Sequence, residues 1–294
     1  MNTRFLEAEF DYVKPSTLEE ALKILSGKKL VRIFAGGTDL IVKMKMGTMP
    51  LDIMMDINAI PELFGVKETE DGGAWIGAAE KLTVLEKSEK LLKDYPALVE
   101  SIHAMASVSV RNMGTLGGNF INASPVADAT ACCLAYDASV ILEKKGGRRV
   151  VRAEEFFLAP GKTVMEKDEM LTGILLPPVK KNTGAVYSKL SRVKSDIAKL
   201  SVCVVLDRKG KKIGNARITM SAVAARPLYV KEISEGMAGK EVTADMILQT
   251  AADIAAFIKP IDDNRTTAEY RKDVTKVVAR DAITEAWKRS GGKL

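Results

Sequence analysis

The sequence predicts an α+β fold in two parts: alternating short strands and helices first, then a smaller domain with an antiparallel sheet backed by helices. Three observations predict it. Up to the double proline Pro177-Pro178, strand-length apolar runs alternate with helical stretches marked by caps and glycine stops. Beyond it, longer β runs follow one another directly, the rhythm of antiparallel strands. Two helical segments then close the chain. The prolines therefore divide the 294 residues into 1–177 and 178–294.

The elements follow in order. Ser16-Thr17-Leu18-Glu19 has the form of a capping box, and Gly27 stops the helix expected over 18–26. Residues 30–34 read as a buried strand running into Gly36-Gly37, and a helix over 39–46 is closed by Gly47. Strands are expected over 52–56 and 74–78, with a second capping box, Thr83-Val84-Leu85-Glu86, opening a helix. Pro96 begins a helix over 97–105. The glycine-rich stretch 112–122 reads as a loop, followed by a short helix over 127–136. Residues 138–143 and 148–151 form a hairpin about Gly146-Gly147, and 170–176 is a strand. In the second part, strands are expected over 185–190, 201–206 and 216–224, the last two joined by a turn spanning 207–214. Thr243 caps a helix over 244–258, and Val274, Val277, Val278, Ala282 and Ala286 recur at helical spacing within 266–288.

Composition excludes several functions. Lys and Arg number 44 against 38 Asp and Glu, a net charge of +6, but these residues are scattered. The two basic clusters, at 144–149 and 208–212, are interrupted by glycine and read as hairpin tips. With 5% aromatic residues as well, a nucleic-acid partner is not expected. Cys132, Cys133 and Cys203, with the single His103, are too few to ligate a structural zinc or an iron–sulfur cluster. The adjacent cysteines read as buried small hydrophobes. His103 reads as a helix-face residue, with no G-x-S-x-G elbow to make it part of a hydrolase triad. The amino-terminal stretch carries acidic residues and no long apolar run, and no segment approaches the ~18 apolar residues of a membrane span. A cytoplasmic protein without signal peptide or membrane span is expected.

Two glycine-rich segments carry the chemistry. Ala35-Gly36-Gly37-Thr38-Asp39-Leu40 lies between a strand and a helix, and Arg111-Asn112-Met113-Gly114-Thr115-Leu116-Gly117-Gly118-Asn119 is the second. Glycine lets a ligand approach the backbone, so successive N–H groups can point at a phosphate, and a following helix start favours an anion. Each segment alone also reads as a tight turn. Neither G-x-G-x-x-G nor G-x-x-x-x-G-K-[ST] occurs, which counts against a Rossmann NAD site and a P-loop.

Together with Asn122-Ala123-Ser124-Pro125-Val126-Ala127-Asp128, these motifs resemble the FAD-binding medium subunit of molybdenum hydroxylases, the family of carbon monoxide dehydrogenase, nicotinate dehydrogenase and the flavin portion of xanthine dehydrogenase. Tyr187-Ser188-Lys189, Arg192, Asp196-Ile197-Ala198 and Ala268-Glu269-Tyr270-Arg271 extend the resemblance through the second part. It implies a two-subdomain FAD-binding domain of the PCMH (vanillyl-alcohol-oxidase) type over 1–177 and a carbon monoxide dehydrogenase flavoprotein carboxy-terminal domain over 178–294. Ala35, Gly36, Gly37, Thr38, Asp39 and Leu40 should wrap the FAD pyrophosphate with backbone N–H groups. Thr115, Leu116, Gly117, Gly118 and Asn119 should do so from the other side. Asn122, Ser124 and Asp128 should line the sugar or phosphate portion, and Leu171 should pack near the ring. Lys189, or Ser188 if the alignment shifts by one, should approach its polar edge.

The family passes electrons from a molybdenum subunit through two [2Fe–2S] clusters to FAD, then to an outside acceptor. This chain lacks cluster ligands, so the resemblance implies a molybdenum-cofactor large subunit and a [2Fe–2S] small subunit as partners, with no catalytic acid–base residue and no metal here. Val193, Lys194 and Ser195 depart from the acidic pattern of NAD-using xanthine dehydrogenases, and the acceptor, NAD or a quinone, is left open. The alternatives are a stand-alone FAD oxidase or reductase, or a binding module whose glycine segments are turns.

Overall fold

The computed structural model describes residues 9–294; residues 1–8, which hold part of the amino-terminal stretch read above, lie outside the described residues. The chain opens with a parallel unit: Ile53–Asp56 lies between Asp11–Val13 and Val31–Phe34 and pairs in parallel with both. Parallel neighbours need crossovers, which Leu18–Leu25 and Leu40–Lys45 supply as helices. Val31–Phe34, expected to be buried, is only half-buried, because it forms the sheet's edge.

Both expected capping boxes are revised. Helix Leu18–Leu25 is capped one residue later than the sequence implies: Glu20 N donates to Thr17 Oγ1 at 3.2 Å, and Ser16 N donates to the Glu20 carboxylate at 2.9 Å. The second box does not form. Helix Leu82–Leu85 begins before Thr83, with Lys81 at its N-cap, and Glu86 instead pairs with Arg111 at 3.1 Å.

Five antiparallel strands form the second unit, in the order Val66–Glu68, Ala74–Gly77, Met170–Leu176, Ser139–Lys144, Gly147–Arg152. Its core takes in Ile76, Val140 and Ile174 from the strands together with Leu98, Phe120, Cys132 and Cys133 from the helices that cover them. The three cysteines are buried, and burial pushes the thiols of Cys133 and Cys203 well above their usual range. Helices Glu89–Asp94, Val108–Met113 and Leu116–Asn122 and the small hairpin Phe157–Ala159/Lys162–Thr163 were not legible in the sequence, being too short to show a period.

The second part holds a four-stranded antiparallel sheet of Thr183–Leu190, Leu200–Lys209, Lys212–Ser221 and Leu228–Tyr229 in chain order. The turn expected over 207–214 contracts to a tip at Gly210 (φ +63°), because the ladder runs on to the pair Lys209–Lys212. Side chains alternate across this sheet. Leu200, Val202, Val204 and Leu206 pack with helices Ala244–Phe257 and Ala268–Arg289, whereas Ala185, Tyr187 and Cys203 join the core of the first part. Apolar packing therefore continues across Pro177-Pro178. No helix among the described residues is long and apolar enough to cross a membrane.

Candidate functional site

The first glycine segment links strand Val31–Phe34 to helix Leu40–Lys45. Gly37 has φ +71°, and a Cβ there would stand 2.3 Å from the Phe34 ring, so only glycine fits. The amides of Gly36, Gly37, Thr38 and Asp39 find no acceptor among the described residues. Four successive donors are thus left open on a loop that leads into a helix, a backbone arrangement that can receive an anion.

The second segment is not the loop the sequence suggested. Helix Val108–Met113 ends at Gly114, and Thr115 then caps a new helix, Leu116–Asn122, that contains both Gly117 and Gly118. Gly118 N donates to Thr115 Oγ1 at 2.9 Å, Asn119 N to Thr115 O at 3.1 Å and Gly117 N to Ala78 O at 3.1 Å. Three of the amides expected to wrap a phosphate are therefore committed within the protein. Gly117 has a packing reason: its Cβ would lie 2.4 Å from the Ala78 carbonyl oxygen.

The two segments touch. A Cβ on Gly36 would fall 2.2 Å from Met113 O and 2.9 Å from Gly114 Cα. Behind the junction runs a polar network that sequence reasoning missed. Asn58 Nδ2 donates to Ala35 O at 2.9 Å and to Asp56 Oδ1 at 2.7 Å, while the Tyr12 hydroxyl donates to Asp56 Oδ2 at 2.5 Å. Burial raises the Asp56 carboxyl, but the bonds from Tyr12 and Asn58 outweigh it and hold the group below its usual range. Lys81 Nζ donates to Asn58 Oδ1 at 3.1 Å and to Met113 O at 3.2 Å. Asp56-Ile57-Asn58, at the end of a strand beside the first segment, was the one local signal available for part of it.

The Asn122–Asp128 motif closes one side. Asn122 accepts from Lys43 Nζ at 2.6 Å and donates to Asp39 Oδ1 at 3.1 Å, fastening the second helix to the first segment. Asn119 accepts from Thr130 at 2.8 Å, and the half-buried Ser124 Oγ accepts from Val126 N at 3.4 Å. Asp128 is buried and pairs with Lys189 Nζ at 3.0 Å, and the same ammonium donates to Ala104 O at 2.9 Å. Strand alternation puts Lys189 on the Tyr187 face, toward Asp128, and Ser188 on the Val186 face, toward the closing helices. Burial lifts the Asp128 carboxyl above its usual range, with Lys189 pulling against it. Asp128 Oδ1 and the Tyr187 hydroxyl are buried with no hydrogen-bond partner among the described residues. Leu171 lies on the strand Met170–Leu176 and is buried in the main core rather than standing on an open face.

These features fit a flavin dinucleotide: the open amides of the first segment suit its phosphates. His103 is exposed, with Nδ1 2.9 Å from Glu86 and Nε2 2.6 Å from Lys194 Nζ. No group of three or more His, Cys, Asp or Glu side chains among the described residues could hold a metal ion.

Comparison with known proteins gives a consistent match. Residues 8–179 match the FAD binding domain in molybdopterin dehydrogenase, and residues 185–286 the CO dehydrogenase flavoprotein C-terminal domain. The glyceraldehyde dehydrogenase medium chain of Sulfolobus acidocaldarius is 33% identical, over 94% of this chain and 98% of that one. The carbon monoxide dehydrogenase medium chain of Hydrogenophaga pseudoflava is also 33% identical, over 95% and 98%. Among solved structures, a chain of the reconstituted CO dehydrogenase from Oligotropha carboxidovorans superposes with a TM-score of 0.92 at 30% identity, covering 97% of this chain and all of the other.

Proposed function

This chain belongs to the family of FAD-binding domains of molybdopterin dehydrogenases, and from that premise we propose that it works as the flavin subunit of a molybdenum hydroxylase, beside a molybdenum-cofactor large subunit and a [2Fe–2S] small subunit. It is an oxidoreductase subunit with FAD as cofactor. Bound FAD supplies the redox chemistry by which electrons from the partner's clusters reach an external acceptor. The chain's own residues bind and orient it.

The run of open amides at Gly36, Gly37, Thr38 and Asp39, set against the backbone of Met113 and Gly114, carries this reading. Ala35 through Leu40 hold the pyrophosphate on one side, and the helix start of Thr115, Leu116, Gly117, Gly118 and Asn119 holds it on the other. Because three of that helix's amides are already bonded, its share is mainly the helix dipole and close backbone approach. Asn122, Ser124 and Asp128 line the sugar portion, Lys189 supports the ring side through its pair with Asp128, and Leu171 packs toward the ring from the core behind it. Residues 1–177 form the flavin domain and 178–294 the carboxy-terminal domain, in a cytoplasmic complex.

The test is the visible spectrum of the protein purified from its native host, before and after chromatography that separates complexes from single chains. Flavin absorbance travelling with iron–sulfur absorbance in a large complex is the expected result. Flavin on an isolated chain with its own turnover points to a stand-alone oxidoreductase, and a chain that takes up no FAD overturns the assignment.

A further inference from the structure

We propose that Lys81 is a further residue of the cofactor site, its ammonium tying the two glycine segments together and presenting positive charge to the phosphates of the dinucleotide. This rests on the reading above that FAD lies against both segments. Its position is unusual for a lysine. The ammonium touches Asn58 Oδ1 and Met113 O, each a carbonyl-type oxygen, and forms no ion pair among the described residues. Burial pushes its pKa down; Asp56 and Glu80 pull it back up, though their oxygens accept from Tyr12, Asn58, Gly65 and the Lys81 backbone amide rather than from the ammonium. Two of its three protons are used, so one donor remains.

Both contacts lead to the site. Asn58 holds the Ala35 carbonyl at the head of the first segment, and Met113 O is the atom against which Gly36 packs. The backbone of Lys81 adds a third tie through its bridge to Thr115, the cap of helix Leu116–Asn122. One residue thus joins the first segment, the end of one helix and the start of the next. A half-buried cation with no direct ion pair among the described residues, resting on the Met113 carbonyl against which Gly36 packs at the start of the open amides, makes a site for an anion.

The full chain, freed of flavin, is titrated with FAD and with riboflavin, which lacks phosphate, at low and high salt. Lys81→Met should weaken FAD binding roughly ten- to a hundredfold, the loss of one charge-assisted contact, and leave riboflavin binding unchanged. FAD binding to the unaltered chain should weaken with salt more steeply than binding to the variant, since screening acts on the charge. Lys81→Arg should restore most of the affinity. Should Lys81→Met fail to fold, Lys81→Gln, which keeps donors but drops the charge, decides in its place. Equal FAD affinity in variant and parent overturns the proposal. So does an equal loss for FAD and riboflavin with the parent's salt slope, which makes Lys81 a spacer only. An unaltered chain that binds no FAD rejects the flavin assignment itself, a separate outcome.

Discussion

Replacing Lys189 by methionine tests the buried pair it forms with Asp128. The ammonium and the Asp128 carboxylate are 3.0 Å apart, with side chains 6% and 5% exposed. At an effective dielectric of ~20 their attraction is about 5–6 kcal/mol, and removing one partner of a buried pair typically costs about 3–5 kcal/mol. The variant has one escape, to protonate Asp128. From an unfolded-state pKa of about 3.9, that route costs about 4 kcal/mol at pH 7 and about 1.5 kcal/mol at pH 5. The sign follows from burial, which already raises this carboxyl; without Lys189 the opposing pull is gone and it rises further. A carboxyl raised on folding contributes stability fully below its unfolded pKa and loses it as pH climbs toward the folded value. Urea unfolding of the flavin-free chain between pH 4.5 and 8 should therefore show Lys189→Met close to the parent at the acid end and about 3–4 kcal/mol weaker at pH 7. Adding Asp128→Asn should recover most of that loss. A penalty that stays flat with pH, or two substitutions that simply add, would refute the buried pair.

Four further outcomes follow from particular positions. Gly117→Ala should cost about 1–3 kcal/mol in urea unfolding, because its Cβ meets the Ala78 backbone. Gly118→Ala should cost about 1 kcal/mol, since it disturbs only the Thr115 cap. Ala123→Gly should leave stability within about 1 kcal/mol of the parent, since relief of a left-handed alanine at φ 45° is offset by loss of a buried core methyl and by the added freedom of the unfolded backbone. Asp263 has a pKa of about 2: burial would raise it, but hydrogen bonds from Arg271, Arg265 N and Thr266 N prevail. A lowered carboxyl contributes stability above its unfolded pKa and loses it as pH falls toward the folded value, so Asp263→Asn should cost about 2 kcal/mol at pH 7, a difference that vanishes near pH 2 in thermal melts.

Local signals made much of the molecule legible. The hairpin about Gly146-Gly147, the helix begun by Pro96 and the cap at Thr243 all stand where the sequence put them, because each depends on residues a few positions apart. Local signals also misled. Thr83-Val84-Leu85-Glu86 has the spacing of a capping box, but Glu86 is claimed by Arg111, 25 residues on. Gly117-Gly118 read as a loop, yet Gly117 is a helical residue whose missing side chain lets the helix close on Ala78.

By itself the sequence determined the order of the longer elements, the family resemblance and the two glycine motifs, since these reside in residue types at short spacings. Tertiary structure alone decided what those motifs face. It brought Gly36 against Met113 and Lys189 against Asp128, and it set Asn58 and Lys81 behind both segments. Those pairings join residues far apart in the chain, and a lysine or an asparagine carries no mark in sequence of the carbonyl it will meet. They arise only when two sheets and their covering helices pack apolar faces together, and the polar groups caught between them must find partners there.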